Sequence, residues 1–212
     1  MANSAVYQQI YNDVIGLTGR SGLVTETTIA IKSATLSLHQ RDFYHKDISE
    51  VSIDFFTSAF FFQFDVGQYF PNFRTLNYIR KYDPAGINNL TQLPTGQAGD
   101  YFKILNDPNL LLDRYSLERP DVAYLAGTTL NVRSGTQIQH ALAGYYRNPT
   151  IDPVIFDSWI AATVPYAITL KAAAMLLSGI IGHKDQGDDI TKNWLPELLH
   201  QIDVIGLPAQ GM

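Results

Sequence analysis

The apolar residues of this chain change their spacing twice, and this change constrains the fold more than any other feature of the sequence. Near the N-terminus they recur every four residues, as at Val6, Ile10 and Val14, which is the spacing of one face of an α-helix. From Val51 onward they alternate with polar residues, as in β-strands. The helical spacing returns near Asp157. The sequence therefore predicts an α+β fold, in which an α-helical bundle carries an inserted β-subdomain.

We predict a single domain of 212 residues, because a chain of this length can bury roughly 70% of the surface that its unfolded form exposes. The helical bundle is expected to comprise residues 1–45 and 155–202. Residues 46–150 are expected to form the insertion, as an antiparallel β-sheet or a β-sandwich-like subdomain. Residues 203–212 are expected to form an extended C-terminal tail.

Capping and breaking residues set the bounds of two N-terminal helices. Ser4 can cap the first helix, and Gly16 and Gly19 end it. The second helix is expected to start near Thr25 and to stop around residues 40–42.

Two further helices are predicted after the insertion. The apolar run Ala161–Ile181 contains Pro165 and Lys171, so it favours a buried amphipathic helix over a membrane span. Pro165 is compatible only with a kink or with the first turn of a new helix. The predicted core face of this helix consists of Tyr166, Leu170, Ala173, Leu177 and Ile181. A last helix from about Asp188 is expected to present Trp194, Leu198, Leu199 and Ile202.

The first half of the insertion is predicted to begin with a hairpin that turns at residues 57–58. Phe60, Phe62 and Phe64 are expected to fill the faces of the sheet. A further strand is expected from Phe73 to Tyr82, followed by a long loop over residues 85–100. A short helix is expected around residues 99–105.

The second half is predicted to be a three-stranded meander. Its strands are expected at residues 122–126, 129–132 and 138–146, with turns at 127–128 and 134–135. Ile138, Leu142 and Tyr146 are expected to share a face.

The sequence contains no motif that carries catalysis or binds a metal. Its five histidines never form a helical metal-binding pair such as H-E-x-x-H. Gly16 to Gly22 follow a helix rather than a strand, so they indicate a connector and not a phosphate cradle. Lys and Arg are dispersed along a chain of net charge −5, which argues against nucleic-acid wrapping. We therefore predict that the chain is not an enzyme and needs neither metal nor cofactor.

The composition indicates binding to other proteins instead. Charged residues make up 17% of the chain and aromatic residues 12%, against about 25% charged residues in a usual soluble domain. Aromatic anchors are enriched at protein interfaces. The candidate interface residues are Phe43, Tyr44, Phe61, Tyr69, Phe70, Arg133 and Tyr145.

The last ten residues, DVIGLPAQGM, are apolar but interrupted by glycine and proline. An apolar segment without regular structure is costly to leave in water. The segment therefore either packs back on its own domain or docks on a partner.

Several local strings resemble one protein family. They are GLTGR at residues 16–20, SATLSLH at 33–39, RDFY at 41–44, VAYLAG at 122–127, LNVRS at 130–134, GYYRNP at 144–149 and DSWI at 157–160. Their order is similar to that of the head-to-tail adaptor proteins of short-tailed bacteriophages, of the tail-tubular-protein-A type. The strings cover most of the chain, although none of them is a catalytic signature.

The resemblance implies a structural virion protein of the phage tail, made in the host cytoplasm. In this family the adaptor forms a dodecameric ring that connects the portal protein to the tail nozzle and continues the DNA channel. DNA would pass without specific binding, and tail fibres are a further candidate partner; no membrane is involved. An alternative interpretation is a glycan- or partner-binding β module of a phage tail.

The resemblance also assigns surfaces to partners. The portal interface would consist of Leu195, Leu198, Leu199, Ile202, Val204, Ile205 and Leu207. The contacts with neighbouring adaptors and the nozzle would use the candidate aromatic residues, Arg133 and the loops at 86–99 and 127–135. Because the tail is short, deletion of residues 203–212 is expected to leave the fold intact and to abolish portal binding.

Overall fold

The computed structural model describes residues 4–82, 98–111 and 119–207, and it contains both helices and strands. The chain divides into two compact units. The helical unit consists of Met1–Asp47 and Asn148–Met212, and the β unit of Ile48–Arg147.

The elements are as follows. The helices are α1 (Ser4–Thr18), α2 (Val24–His39), α3 (Val66–Tyr69), α4 (Trp159–Thr163), α5 (Pro165–Leu176), α6 (Lys184–Asp189) and α7 (Leu195–Gly206). The strands are β1 (Ile48–Asp65), β2 (Phe73–Tyr82), β3 (Ala98–Tyr101), β4 (Lys103–Leu105), β5 (Val122–Ala126), β6 (Thr129–Arg147), β7 (Thr150–Ile151) and β8 (Phe156–Asp157). Two π-helical segments, Leu177–Ile181 and Ile190–Trp194, flank α6, and short 3₁₀ turns cover His45–Asp47 and Pro108–Leu111.

Helix α5 is the centre of the helical unit, because α1, α2, α4, α6 and α7 all contact it. Pro165 stands in its first turn, which confirms the prediction of a new helix start. Most of α5 is buried, including Ile168, Ala172 and Ala173. The small alanine side chains let neighbouring helices approach closely. Since helices pack on several sides of α5, its buried surface is wider than the single stripe that the sequence predicted.

One member of that predicted stripe is wrong. Tyr166 is 43% exposed, whereas Leu170, Ala173 and Leu177 are buried as expected. Tyr166 lies in the first turn of α5, and that end of the helix is open to solvent on the side where Tyr166 projects.

The predicted C-terminal tail is also wrong in part, because α7 continues through Asp203 to Gly206. Ile202 is fully buried and Ile205 packs against the core of the helical unit. The helical spacing of apolar residues thus persists past the expected boundary, and residues 203–206 belong to the folded body. Residues 208–212 lie outside the described part of the chain.

Asp203 and Gly206, at the end of α7, contact the segment that follows α2. The Asp203 carboxylate accepts a hydrogen bond of 2.9 Å from the Tyr44 hydroxyl and forms a 2.9 Å ion pair with Arg41. Nδ1 of His45 lies 2.6 Å from the carbonyl oxygen of Gly206. Burial and the adjacent Asp203 carboxylate raise the pKa of Tyr44 well above its usual range. Because deletion of residues 203–212 removes these contacts, we now expect it to destabilise the helical unit rather than to leave the fold intact.

Replacement of Gly206 by alanine tests this packing. A Cβ at residue 206 would overlap the Tyr44 ring and lie 2.8 Å from Cη2 of Trp159. We expect Gly206→Ala to lower the free energy of unfolding by about 1–3 kcal/mol in urea denaturation. Gly16→Ala, in α1, is the control, because nothing lies within 4 Å of its added Cβ. That helix substitution should stabilise by roughly 0.5–1 kcal/mol, and equal effects of the two variants would contradict the packing.

The β unit is organised around β6, the longest strand. β1 pairs antiparallel with β6 along almost its full length, from Ile48 opposite Tyr146 to Asp65 opposite Thr129. On the other edge of β6, β2 pairs with its C-terminal half and β5 with its N-terminal half. β3 then pairs with β2, and β4 runs parallel to β5. Because only Phe102 separates β3 from β4, this six-stranded sheet is nearly closed.

The hairpin predicted at residues 57–58 is wrong, because β1 is one strand of 18 residues. β6 is long enough to pair with both halves of β1. The extra residues form an irregularity between Asp54 and Ala59, where Phe56 has a φ of 62° and is 78% exposed. The Asp54 carboxylate accepts a 2.7 Å hydrogen bond from the Phe56 N–H, which holds this bulge.

The predicted meander is correct at its first turn and wrong at its second. Gly127, with a φ of +64°, and Thr128 form the two-residue turn between β5 and β6. β6 then continues through residues 134–135, where a turn was expected. The partner of β1 shifts there from Arg133 to Ile138, so the extra residues form a bulge.

The buried face of β6 changes beyond Ile138, opposite the irregularity of β1 between Asp54 and Ala59. Ile138 is buried as predicted, but Ala141, Ala143 and Tyr145 point to the core beyond it. Leu142 and Tyr146 are only partly buried. A shift of one residue exchanges the two faces of a strand, so the predicted shared face is wrong.

The other predictions for the β unit have mixed outcomes. β2 has the predicted bounds, Phe73–Tyr82. The helix expected at residues 99–105 is wrong, since β3 and β4 occupy that stretch. Most of the loop predicted over residues 85–100 lies outside the described residues, which resume at residue 98.

Asp121 holds the β6 bulge in place. Its carboxylate accepts a 3.0 Å hydrogen bond from the Gly135 N–H and a weaker one from the Ser134 hydroxyl, and lies 2.9 Å from the Lys81 ammonium. Burial acts to raise the pKa of Asp121, but the hydrogen bonds and the Lys81 charge outweigh it and lower the pKa below its usual value.

Asp121→Asn removes the charge and keeps the shape. Because the pKa is lowered in the folded state, ionised Asp121 stabilises the protein above about pH 4, and this contribution is lost as the pH falls through the lowered value. We expect Asp121→Asn to lower the urea midpoint at neutral pH and to flatten its decline in acid. Asp100→Asn, an exposed carboxylate on β3, should change stability by less than about 0.5 kcal/mol. An unaltered acid profile in Asp121→Asn would contradict this role.

Candidate functional site

The predicted portal residues mostly belong to the core of the helical unit. Leu195 and Ile202 are 5% and 0% exposed. Leu198, Leu199, Ile205 and Leu207 are partly buried and pack against that core. Val204 differs, at 67% exposed. The prediction of a continuous portal surface here is wrong, because α7 uses its apolar face to close its own unit.

The predicted adaptor and nozzle residues also divide into two groups. Tyr44, Phe70 and Tyr145 are at most 2% exposed and serve as core, so their assignment as interface residues is wrong. Tyr69 is partly buried and packs edge-on against Phe64, with ring centroids 5.1 Å apart.

The second group is available to a partner. Phe43 is 52% exposed on the helical unit, and Phe61 is 43% exposed on the β unit. Arg133 is partly buried, with its guanidinium 4.9 Å from the Phe61 ring centre.

An aromatic and basic pocket of about 220 Å³ surrounds these two β-unit residues. Phe60 and Arg119 also line it. Phe60 was expected to fill the sheet, but it is 53% exposed while Phe62 is buried. The register shift beside Ala59 turns Phe60 outward. We name this group the Phe60–Phe61 pocket.

A larger cleft, of about 600 Å³, opens on the helical unit. Leu170 and Leu177 lie in its floor and are buried. Leu17, Tyr166 and Trp194 also line it and are 42%, 43% and 57% exposed. Solvent-exposed Trp and Tyr beside apolar side chains are typical of protein-binding surfaces. We name this site the acidic cleft, for the charges described next.

Two carboxylates give the cleft its charge. Asp185 and Asp189 both line it, and their spacing of four residues places them on one side of α6. Asp189 also accepts a 2.6 Å hydrogen bond from the Asn193 amide, which orients its carboxylate. The cleft therefore combines apolar surface with negative charge, which suits an apolar segment that carries a basic residue.

The local geometry explains how α6 forms a wall of this cleft. Gly182, with a φ of 82°, ends the first π-helical segment and reverses the chain. Gly187 of α6 is buried, and a Cβ there would overlap the Ser178 hydroxyl and lie 3.0 Å from the Ala174 carbonyl oxygen. Only glycine allows α6 to lie this close. π-Helical segments are rare and occur frequently at functional sites.

A buried Asp-His-Ser group is the one arrangement in the described residues that resembles a catalytic triad. Nδ1 of His39 lies 2.7 Å from Oδ1 of Asp47, and Nε2 of His39 lies 2.9 Å from the Ser158 hydroxyl. The Trp159 indole N–H donates to the same Asp47 oxygen at 2.8 Å. We place the Nδ1 proton toward Asp47, so that Nε2 accepts from the Ser158 hydroxyl.

Burial and capping argue that this group is structural. Ser158 and His39 are both 2% exposed, so a substrate has no access to the hydroxyl. The Ser158 oxygen also accepts a 3.1 Å hydrogen bond from the Ala161 N–H and thereby caps α4. No local sequence pattern predicts this group, because Ser158 lies 119 residues from His39.

Among residues 4–82, 98–111 and 119–207, no group of three or more His, Asp or Glu side chains could hold a metal ion. Within the same ranges, no helix combines the length and the apolar character needed to span a membrane.

Comparisons with known proteins identify no relative of this chain. No protein-family model matches the chain, and no curated protein matches it.

Ser158→Ala separates a structural hydroxyl from a catalytic one. Loss of an N-cap is expected to cost about 0.5–2 kcal/mol of stability, measured by thermal or urea unfolding. Ser33→Ala, an exposed serine within α2, is the control and should change stability by less than about 0.5 kcal/mol. A fluorophosphonate probe should not label the native wild-type protein. Labelling that is lost in Ser158→Ala would show that the hydroxyl is an accessible nucleophile and would overturn this interpretation.

Proposed function

We propose that this chain is a structural assembly protein, a head-to-tail adaptor of a short-tailed bacteriophage. The adaptor would form a ring that connects the portal protein to the tail nozzle and continues the DNA channel. The observation that carries the proposal is the acidic cleft, where exposed Trp194, Tyr166 and Leu17 form a surface suited to a protein partner. The resemblance of the sequence strings supplies the phage assignment and the dodecameric ring.

The distribution of polar groups supports an assembly role over catalysis. The triad-like group of Asp47, His39 and Ser158 is closed to solvent and holds α4 in place. The acidic cleft holds two carboxylates, but its exposed surface consists largely of apolar side chains. Such a lining favours a peptide segment over a small reactive substrate.

The two units support contacts with different partners. Each has its own hydrophobic core, so each can present a surface without depending on the other for stability. For the helical unit we assign portal contact to the exposed side of α7, which includes Val204. For the β unit we assign contact with the nozzle or with tail fibres to Phe61 and Arg133.

The net charge is compatible with a DNA channel. At −5 the chain repels DNA at long range. Passage without specific binding requires that phosphates meet few clustered cations, and the 15 Lys and Arg residues are dispersed along the sequence.

The proposal is tested by mixing the purified chain with purified portal rings and measuring the mass of the complex by native mass spectrometry. We expect the portal to recruit a ring of copies of this chain. Val204→Asp should weaken this recruitment, because it places a charge in an apolar contact. Val154→Asp, at a 77% exposed valine outside α7, is the matched control. Portal rings that stay unchanged in mass across a concentration series would refute the adaptor function.

The Phe60–Phe61 pocket favours a second candidate function, a glycan- or partner-binding β module of a phage tail. Aromatic rings beside guanidinium groups bind sugar faces and acidic substituents. Glycan-array binding by the free protein that is lost in Phe61→Ala, together with no binding to portal, would favour this function over the first.

A further inference from the structure

We propose that the acidic cleft receives the exposed face of α2 from a second copy of this chain. The inference rests on the proposed function, because it names the surfaces through which adjacent copies in the ring would join. It concerns the contact between copies and is separate from the contact with the portal.

The outer face of α2 exposes two apolar side chains and one cation among polar residues. Val24 and Ile29 are 56% and 58% exposed, and Lys32 is exposed. At about 100° per residue, Lys32 lies between Val24 and Ile29 around the helix axis. The opposite face packs into the core through Ile31 and Ala34. An isolated helical unit would therefore leave the Val24 and Ile29 side chains of α2 exposed to water.

The two surfaces are complementary in chemistry. The cleft offers an apolar floor and the exposed Trp194 ring to Val24 and Ile29. Asp185 and Asp189 offer carboxylates to the Lys32 ammonium. Partial exclusion of water strengthens such a charge pair, and the pairing fixes the register of the helix in the cleft. One contact of this kind covers both exposed apolar surfaces.

The geometry points to a heterologous contact, because the cleft and the α2 face consist of different residues. Each copy would use its cleft for one neighbour and its α2 face for the other. Repetition of such a contact generates a closed ring or an open filament, depending on the rotation between copies. A cleft-to-cleft dimer would instead bring four carboxylates together, which is unfavourable.

The test uses two variants, one that disables the acidic cleft and one that disables the outer face of α2. The cleft variant carries Leu17→Asp and Trp194→Asp, and the α2 variant carries Val24→Asp and Ile29→Asp, so the two disabled surfaces repel each other in a mixture. All four positions lie at solvent-accessible sites, and thermal unfolding verifies that the fold is retained. Val154→Asp, a 77% exposed valine outside both surfaces, is the control for adding a charge at an apolar position.

Sedimentation velocity over a concentration series, with the full chain and without portal, measures self-association. We expect each variant to weaken it by at least about tenfold, while Val154→Asp leaves it unchanged. An equimolar mixture of the two variants should form one-to-one dimers that do not grow, because each partner retains one intact surface. Rising salt should weaken association of the wild type.

Several outcomes would overturn the inference. If only the α2 variant associates as strongly as the wild type, the contact is cleft-to-cleft. If only the cleft variant does so, the contact is α2-to-α2. Two variants that stay monomeric when mixed would exclude this pairing. A wild type that never self-associates, in solution or on the portal, would refute the contact between copies.

The test distinguishes this inference from the proposed function. If both variants form rings on the portal as the wild type does, the cleft assignment fails and the adaptor function stands. If the wild type associates through the cleft but never binds portal, the adaptor function fails and the contact between copies stands.

Discussion

The helical unit depends on the buried carboxylate of Asp47. This side chain is 4% exposed, and it accepts hydrogen bonds from His39 at the end of α2 and from Trp159 at the start of α4. A buried charge is costly unless it is paired, so the fold holds these donors around it. Asp47 is also the last residue before the chain leaves the helical unit. The hydrogen bonds of Asp47, His39 and Ser158 therefore join the end of α2, the residue before β1 and the N-cap of α4.

Local sequence signals were sufficient to predict features that depend only on neighbouring residues. Pro165 marks the first turn of α5, and Gly127 marks the turn into β6. Features that depend on distant residues could not be predicted in this way. The stretch at residues 134–135 has the composition of a turn, but Asp121 and the long pairing with β1 hold it as a bulge. His39 gave no signal, because its partners Asp47 and Ser158 come together only in the fold.

Local sequence signals were also insufficient for the C-terminus and the acidic cleft. The apolar residues of α7 are compatible with docking on a partner or on the protein itself, and the sequence contains nothing that decides between them. The contacts of Tyr44 show that α7 docks on its own unit, since the Tyr44 hydroxyl donates a hydrogen bond to Asp203 and its ring packs on Gly206. Trp194 was expected on the apolar face of the last helix, but the π-helical turn before α7 places it at the cleft. Sequence periodicity assumes 3.6 residues per turn, so it misassigns residues within π-helical segments.

The internal use of α7 changes which surfaces remain for assembly. An adaptor that docked through a free tail could bind its partner with little constraint from its own fold. Here the tail residues up to Leu207 stabilise the helical unit, so intermolecular contacts must come from surfaces that the core leaves open. In the described part of the helical unit, the acidic cleft and the outer face of α2 are two such surfaces, one acidic and one with an exposed lysine. Because both are formed by well-packed helices, a contact between them would need little ordering on binding, and more of its apolar burial would appear as affinity.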